Sequence, residues 1–385
     1  MQKSSFAVAV VMLSRAVYAV NWYNVSPAYP FLVTRFPYQA QYIWMLFAVF
    51  LIGAGIFQVP AGMVAAKIGS RKTAFTGLTL MGVSASAIYF SDSLFFIIVL
   101  RFLTGVSAAF FFSSAVSVLG YLQPEKIRRN MGIYNGSFAF GAGIGILPYS
   151  FFINYSGWRL ALTLGGVATL AVAIAGILII PDGGDVTAIS RKAVARRMFD
   201  RYIWLISAGM GGYYSLNFVL GEYFKPYMLQ AGFGNFDSAV IASLTLFLGL
   251  AGALFTGLFS RIHPVKQVVS IIIILSLIDF AMIFYNLYLF LFIAIINGVL
   301  NVAVFSKEYL LVMIHEPEKP MIALDLGLLN SIQLTIGGVF SALFGISLDL
   351  FGYHFSWILI CIISLSTLPL FVYSLRSKSS SPALR

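Results

Sequence analysis

Charged side chains are scarce in this chain. Only 10% of the 385 residues are Asp, Glu, Lys or Arg, whereas 60% are hydrophobic. A soluble domain carries roughly 25% charged residues, so this chain cannot present an aqueous surface on all sides. The scarcity excludes an ordinary soluble domain and predicts a protein that lies mostly within a lipid bilayer.

Cysteine and histidine are scarce as well. Cys361 is the single cysteine, which excludes an intramolecular disulfide, and the three histidines stand far apart in the sequence. No His-Glu-x-x-His motif and no P-loop are present, so neither a catalytic metal nor direct use of ATP is expected. We expect no cofactor, no metal and no enzymatic activity. Short loops also argue against a receptor, which would need a sizeable output domain.

Long apolar runs occupy most of the chain. A bilayer core needs about 20 apolar residues per helix, and continuous runs favour helices over barrel strands, which alternate in roughly 10-residue units. The first run is too long for a signal peptide and is expected to remain as a span. We predict twelve spans, at 6–31, 41–65, 73–91, 94–120, 131–153, 160–180, 202–229, 238–260, 267–286, 288–313, 323–347 and 355–375.

The basic residues are distributed asymmetrically between the predicted loops. Most of the 24 Lys and Arg lie on the side of the N-terminus, and the opposite loops hold only Arg35 and Arg159. This bias predicts that both termini are cytoplasmic. The net charge of +11 therefore reflects membrane topology, and we expect no nucleic-acid partner.

An internal repeat divides the chain into two parts. Equivalent residues recur at offsets of 193 to 195 positions: Gly62 and Gly257, Gly105 and Gly298, Pro124 and Pro317, and Gly157 and Gly352. Such a duplication predicts an all-α membrane protein built from two six-helix bundles, related by a pseudo-twofold axis, that face each other across a pathway. We place the bundles at 1–180 and 201–376, with a basic linker at 181–200 and a disordered tail at 377–385.

Several motifs resemble those of the major facilitator superfamily, and the resemblance covers the whole chain. The loop from Gly62 through Gly69 and Arg71 is similar to the family's signature loop between spans two and three. The segment that begins at Arg101 resembles its fourth-helix motif, and 156–159 resembles the turn before span six. The resemblance implies a multi-pass secondary transporter of the cytoplasmic membrane that works by rocker-switch alternating access. It also implies that Gly62, Gly69 and Arg71 belong to a gating loop.

The chain departs from the family pattern at two places. Ala66 stands where the signature loop usually carries an aspartate, so we expect a weaker closure of that loop. In span five, Gly132, Gly141 and Gly145 keep the spacing of an antiporter motif, but Ile146 replaces its proline. We treat the run from Gly141 to Gly145 as a site of close helix packing and the motif as weak support for export.

Charges within the predicted spans indicate the functional site. A charged residue at a helix centre costs about 2.5–3.5 kcal/mol on insertion scales, so it needs water, a partner or a ligand. In the resembled family, spans one, four, seven and ten line the central cavity, and these spans hold most of the charges: Arg15, Arg101, Glu222, Lys225, Lys307 and Glu308. Asp279, in span nine, has no role that this pattern explains beyond a local hydrogen bond to a neighbouring helix.

Helical spacing places further polar and aromatic side chains on the stripes that carry these charges. The predicted substrate-binding residues are Arg15, Tyr18, Trp22, Arg101, Tyr214, Asn217, Asn301, Asn330 and Gln333. Alternatives remain open at this point. Arg15 could extend toward the cytoplasm instead, Glu222 and Lys225 could neutralise each other, and the amides could join helices.

The two arginines of the first half favour a small anion as the substrate, because guanidinium binds carboxylate or phosphate bidentately. Glu222 and Glu308 are the predicted proton carriers. We therefore predict a monomeric, proton-coupled symporter of a small organic or inorganic anion, whose partners are the solute, protons and the bilayer. The alternative is a proton-coupled exporter of lipophilic or cationic compounds, which the aromatic fraction of 16% favours.

Overall fold

The structure is a computed structural model that describes residues 2–183, 191–255, 263–315 and 319–376, and every regular element in these ranges is a helix. The α-helices are, in chain order, α1 (Gln2–Tyr23), α2 (Tyr29–Arg35), α3 (Met45–Ile56), α4 (Gln58–Ile68), α5 (Ser70–Ala87), α6 (Leu94–Leu122), α7 (Ile127–Ile179), α8 (Arg191–Met198), α9 (Arg201–Gln230), α10 (Asn235–Phe247), α11 (Gly249–Phe255), α12 (Pro264–Phe280), α13 (Leu287–His315) and α14 (Lys319–Arg376). The predicted all-helical membrane fold is confirmed.

Two helices turn back on themselves at glycines that the repeat had paired. Helix α7 bends at Gly157 (φ 76°) and α14 bends at Gly352 (φ 75°). Positive φ is open to glycine at little cost, so each glycine lets one continuous helix supply two antiparallel arms. With these arms counted separately, with α3–α4 and α10–α11 each counted once, and with the short helices α2 and α8 left aside, each predicted span overlaps a described helix or helix arm. The number of membrane crossings stays a prediction.

Equivalent glycines also make equivalent helix contacts in the two halves. A Cβ atom on Gly105 of α6 would lie 2.1 Å from the carbonyl oxygen of Phe50 in α3. A Cβ atom on Gly298 of α13 would lie 2.7 Å from the carbonyl oxygen of Leu244 in α10. Both glycines therefore let two backbones pack closely, and the helix pairs occupy matching places in the repeat.

The helix ends define two faces of the molecule. One face, which we call the basic face, holds the α4–α5 turn, the α6–α7 turn and helix α8, with their many Lys and Arg residues. The other, called the opposite face, holds the turns at Gly157 and Gly352 and the segment that contains α2. The positive-inside bias predicts that the basic face is cytoplasmic.

The predicted linker contains a short helix that is tied to the second half. The guanidinium of Arg197 in α8 lies 3.5 Å from the carboxylate of Asp325 in α14 and 3.2 Å from that of Asp200. Asp200 in turn caps α9 by accepting a hydrogen bond from the Tyr202 backbone amide at 2.8 Å. The remainder of the linker (184–190), the predicted tail (377–385), and the repeat partners Gly257 and Pro317 lie outside the described residues.

Candidate functional site

Arg15 occupies an aromatic cage in the first half. Its side chain is only 6% exposed, and its guanidinium carbon lies 4.5–4.8 Å from four ring centroids, those of Tyr18, Phe112, Tyr134 and Phe138. The Nε and Nη1 atoms are buried without a hydrogen-bond partner, and no described carboxylate lies within ion-pair distance. Cation–π contacts of about 2 kcal/mol offset only part of the cost of burying this charge. The cage therefore holds a cation whose donors remain available to an anion.

The position of this cage depends on close packing of α7 against α1. A Cβ atom on Gly141 would lie 2.0 Å from the carbonyl oxygen of Ala16, the residue that follows Arg15. A side chain at Gly141 would therefore separate the two helices and shift Arg15 within its cage. The packing interpretation of this glycine segment agrees with the structure.

We expect Gly141→Ala to lower the melting temperature and impair transport, because overpacking typically costs about 1–3 kcal/mol. Gly132→Ala is the matched control on the same helix, since nothing lies within 4 Å of its Cβ position. Alanine favours helix by about 1 kcal/mol over glycine, so the control should be neutral or stabilising. Thermal unfolding of both purified variants checks the prediction, and equal melting temperatures would contradict the close approach.

Arg101 uses its guanidinium to join helix ends. Its three nitrogen atoms donate to the carbonyl oxygens of Asn21 (2.7 Å), Leu46 (3.2 Å) and Trp22 (3.3 Å). The guanidinium also lies over the Phe50 ring, 4.6 Å from its centroid. In this conformation Arg101 holds the end of α1 against α3, so its predicted contact with substrate would need these carbonyls to be released.

A second polar group forms around Glu308 in the second half. The Tyr214 hydroxyl of α9 donates to Glu308 Oε2 at 2.5 Å, and the Gln333 amide of α14 donates to Glu308 Oε1. Glu308 itself, on α13, is 0% exposed. The structure thus brings together three of the predicted residues from three helices, with a carboxylate at their centre.

Tyr213 extends this group along α13, because its hydroxyl donates to the side-chain oxygen of the predicted residue Asn301. Sequence reasoning missed Tyr213, since it points off the stripe that Tyr214 begins. It missed Phe112, Tyr134 and Phe138 as well. They resemble the lipid-facing aromatics found throughout the spans, and no signal in the sequence sets them apart.

Glu222 lies away from both groups, at the seam between the two halves near the opposite face. Its backbone oxygen accepts a hydrogen bond from Ser26 of the first half, while its buried carboxylate lies beside the Tyr29 hydroxyl and interacts electrostatically with Arg101. The neighbouring rings of Tyr29 and Tyr223 are 5.7 Å apart across the seam. Within the described residues no ion pair joins Glu222 to Lys225, so mutual neutralisation does not account for the two charges.

Aromatic side chains from both halves lie between the two polar groups. The Phe218 ring of α9 lies 6.1 Å from Trp22, 6.4 Å from Phe47 and 6.0 Å from Tyr214, measured between centroids. Trp22 also contacts Phe138 of the Arg15 cage, at 5.5 Å. This aromatic layer, contributed by both halves, lies between the Arg15 cage and the Glu308 group.

Two predicted amides keep free hydrogen-bonding capacity. Asn217 and Asn330 are half-buried, and neither makes a hydrogen bond to another described residue. An amide in this state differs from one that joins two helices, because its donors and acceptor remain open. The two side chains are therefore candidates for contact with a solute.

Described contacts between the halves run from the opposite face through mid-depth, and along α7 they continue toward the basic face, where a Cβ atom on Gly136 would lie 2.8 Å from the Leu250 side chain. Trp44 meets the second half at the opposite face, as the Tyr223 hydroxyl donates to its carbonyl at 3.5 Å, and Asn235 donates to the carbonyl of Ser150 at 3.2 Å. Nearer mid-depth, Ser331 donates to the Gly55 carbonyl at 2.7 Å. Toward the basic face, a cavity of about 230 Å³ opens between α4 on one side and α8, α9 and α14 on the other.

The predicted gating loop is held by Arg71. Gly69 adopts φ 93° between α4 and α5, a conformation that favours glycine, and nothing lies within 4 Å of a Cβ on Gly62. Arg71 donates to Asp182 Oδ1 at 2.6 Å and to the carbonyl of Ile177, both at the end of the first half. Asp182 thus supplies an acid to this loop, in which Ala66 has replaced the usual one.

The hydrogen bond from Arg71 lowers the pKa of the exposed Asp182 carboxyl. A lowered pKa in the folded state stabilises the protein above the unfolded value of about 3.9, and the contribution is lost as pH falls through the folded pKa. We expect Asp182→Asn to lower the melting temperature by roughly 1 °C at pH 7, because exposed ion pairs contribute little. The difference from the unsubstituted protein should vanish at acidic pH and shrink in high salt. A difference that is independent of pH would contradict the ion pair.

Comparison with known proteins gives one family and several relatives. A family model described as Major Facilitator Superfamily matches residues 11–319. A tetracenomycin C resistance and export protein from Streptomyces glaucescens is 26% identical over 134 residues, which cover 34% of this chain and 25% of that protein. A probable sulfoacetate transporter from Cupriavidus necator is 24% identical over 273 residues, which cover 65% and 63%. This chain thus spans from a quarter to less than two thirds of these relatives.

A solved structure extends the likeness to the whole fold. The in meso crystal structure of the POT family transporter PepTSo superposes with a TM-score of 0.78 and covers 96% of this chain and 98% of that one. The sequence identity is 12%, so the similarity concerns the fold alone.

Proposed function

The chain belongs to the Major Facilitator Superfamily, and from this premise we propose that it is a proton-coupled transporter of a small organic anion. Family membership makes it a secondary transporter rather than an enzyme, and a multi-pass integral protein of the plasma membrane. The observation that carries the proposal of an anion is the Arg15 cage. Its buried cation has unpartnered donors and no described carboxylate nearby.

The chemistry of the cage favours a carboxylate, sulfonate or phosphate group. Guanidinium is planar and donates two parallel hydrogen bonds to such groups, and the aromatic rings exclude water that would weaken the contact. Asn217 and Asn330 would orient the remainder of the solute. The relative named as a probable sulfoacetate transporter, which aligns with 65% of this chain, supports a small organic anion.

Glu308 is the proposed carrier of the coupling proton. It is fully buried, its hydrogen-bond partners are the neutral Tyr214 and Gln333, and no cation in the described ranges pairs with it. These donors stabilise its ionised form, whereas burial favours the protonated form, so small changes in hydration can move the proton. Anion binding at Arg15 and protonation at Glu308 would together neutralise the site before the halves move.

The way in which the halves meet supports alternating access. The seam at Ser26 and Glu222 and the aromatic layer close the opposite face, and a cavity opens between the halves toward the basic face beside α4. With the basic face cytoplasmic, this conformation faces inward. Glu222 would be protonated while the seam is closed, because its carboxyl group is fully buried there, and it would meet water when the seam opens.

Export of a lipophilic compound is the second candidate. The rings of Trp22, Phe138 and Phe218 favour it, and so does the relative named as a tetracenomycin C export protein, although that alignment covers only 34% of this chain. An apolar compound would stack on these rings and leave the donors of Arg15 unused. The two candidate functions therefore differ in whether the transported compound must carry an anionic group.

Counterflow into proteoliposomes loaded with unlabelled solute tests the proposal. The panel of anions would be sulfoacetate, acetate, succinate and phosphate, and tetraphenylphosphonium would serve as the lipophilic cation. We expect counterflow with at least one panel anion, and acidification of the outside should accelerate its net uptake. Transport of the cation alone would favour the export of lipophilic compounds. Anion counterflow without any response to a pH gradient would contradict proton coupling.

A further inference from the structure

A buried acid in the second half lies outside the Arg15 cage and the Glu308 group. Asp279, on α12, is 1% exposed. Its Oδ1 atom accepts a hydrogen bond from the Asn297 amide of α13 at 2.5 Å, which confirms the local bond expected from the sequence. Its Oδ2 atom is buried and has no hydrogen-bond partner among the described residues.

The groups that face Asp279 are neutral. The titratable side chains that share its electrostatic environment are Tyr213 of α9 and Cys361 in the second arm of α14, and both are uncharged at neutral pH in their ordinary ranges. No Lys, Arg or His in the described ranges lies within ion-pair distance. An isolated carboxylate at this depth would be very costly, so Asp279 holds a proton in this conformation.

Neither protonation state of Asp279 is fully satisfied. The protonated acid has no acceptor for a proton on Oδ2, and the carboxylate has Asn297 as its one donor. A carboxyl that serves only to join helices is expected to pair both oxygens, because unmade hydrogen bonds in the interior are costly. By contrast, Ser276, one turn earlier on α12, is paired with Ser364 at 2.8 Å.

Asp279 and Glu308 are linked by the same two helices. Asn297 and Asn301 are one turn apart on α13, and Glu308 lies two turns beyond Asn301. Adjacent tyrosines of α9 reach two of these positions, Tyr213 at Asn301 and Tyr214 at Glu308. Asn297 and Glu308 differ in depth by roughly 16 Å along α13, so the two acids stand toward different faces of the membrane.

We propose that Asp279 is a second proton-binding site, which takes up and releases a proton in each transport cycle in addition to Glu308. A movement of α13 against α9 that changes the environment of Glu308 also changes that of Asn297, the one partner of Asp279. This inference rests on the proposed function, because it adds a proton to the same cycle. Its expected signature is one proton more per solute than Glu308 alone would carry.

The test is the number of protons moved per solute. Proteoliposomes with a fixed gradient of the panel anion that is transported fastest are exposed to graded opposing pH gradients, and the gradient that stops net flux gives the ratio. Asp279→Asn is expected to lower this ratio by one proton while solute exchange continues. Ser276→Ala, on the same helix face, is the matched control and should leave the ratio unchanged.

A second variant leaves Asp279 in place. Asn297→Ala removes the donor that stabilises the carboxylate, so Asp279 should bind its proton more tightly and the pH profile of uptake should move to higher pH. An unaltered ratio in Asp279→Asn, or a ratio of one in the unsubstituted protein, would overturn the proposal and leave Asp279 as a structural acid. Absence of any proton flux in the unsubstituted protein would instead contradict the proposed function itself.

Discussion

Replacement of Arg15 by glutamine is expected to reduce uptake of the transported anion by roughly 10- to 100-fold, the effect of losing one or two hydrogen bonds from a charged donor. The melting temperature should stay close to that of the unsubstituted protein or rise. Four rings enclose the Arg15 guanidinium, but two of its nitrogens have no partner. Removing an incompletely paired buried charge is often neutral or stabilising.

Two further arginine variants test whether the effect of Arg15→Gln is specific to Arg15. Arg35→Gln is the matched control, because Arg35 is 53% exposed and pairs with Asp92 at 3.7 Å on the opposite face; uptake should be unchanged. Arg101→Gln should instead lower the melting temperature, since it leaves three carbonyl oxygens without their donor. Normal uptake by Arg15→Gln would show that the Arg15 cage does not bind the substrate, and it would favour the export of lipophilic compounds.

Much of the fold follows from composition and from single glycines. Scarce charge forces the chain into the bilayer, and the paired glycines at 157 and 352 turn the two longest helices back in equivalent places. These predictions succeed because they depend on the backbone freedom of single glycines and on the overall hydrophobicity of the chain. Both can be read directly from the sequence.

The candidate site was harder to predict, because helical spacing gives the direction of a side chain but not its depth. Helical spacing places Tyr214, Asn217, Gly221 and Lys225 on one stripe of α9. In the structure Tyr214 contacts Glu308, whereas Gly221 lies against Tyr23 at the seam. Likewise, nothing in the sequence reveals that Arg101 would face three carbonyl oxygens, since backbone acceptors carry no signature. Contacts between side chains and backbone groups of distant helices are visible only in the three-dimensional structure.

Glu308→Gln is expected to lower the number of protons moved per solute by one, and so to weaken uphill accumulation driven by a pH gradient, while solute exchange persists at a substantial rate. Glutamine keeps the shape of the side chain and can still accept a hydrogen bond from Tyr214, but it cannot bind or release a proton. Exchange requires the loaded carrier to move in both directions without returning empty, so it needs no change in protonation. The measurement compares accumulation and counterflow for the same preparation across a range of pH.

Tyr214→Phe tests the hydrogen bond to Glu308 separately from the proton that Glu308 carries. It removes one of the two donors to Glu308, so the carboxyl should hold its proton more tightly and accumulation should persist with a pH profile moved upward. Glu125→Gln, at an exposed carboxylate that pairs with Lys126 at 3.9 Å on the basic face, should change neither property. If Glu308→Gln accumulates solute against its gradient as steeply as the unsubstituted protein, Glu308 carries no coupling proton. Asp279 and Glu222 would then be the remaining candidates, because both carboxyl groups are buried.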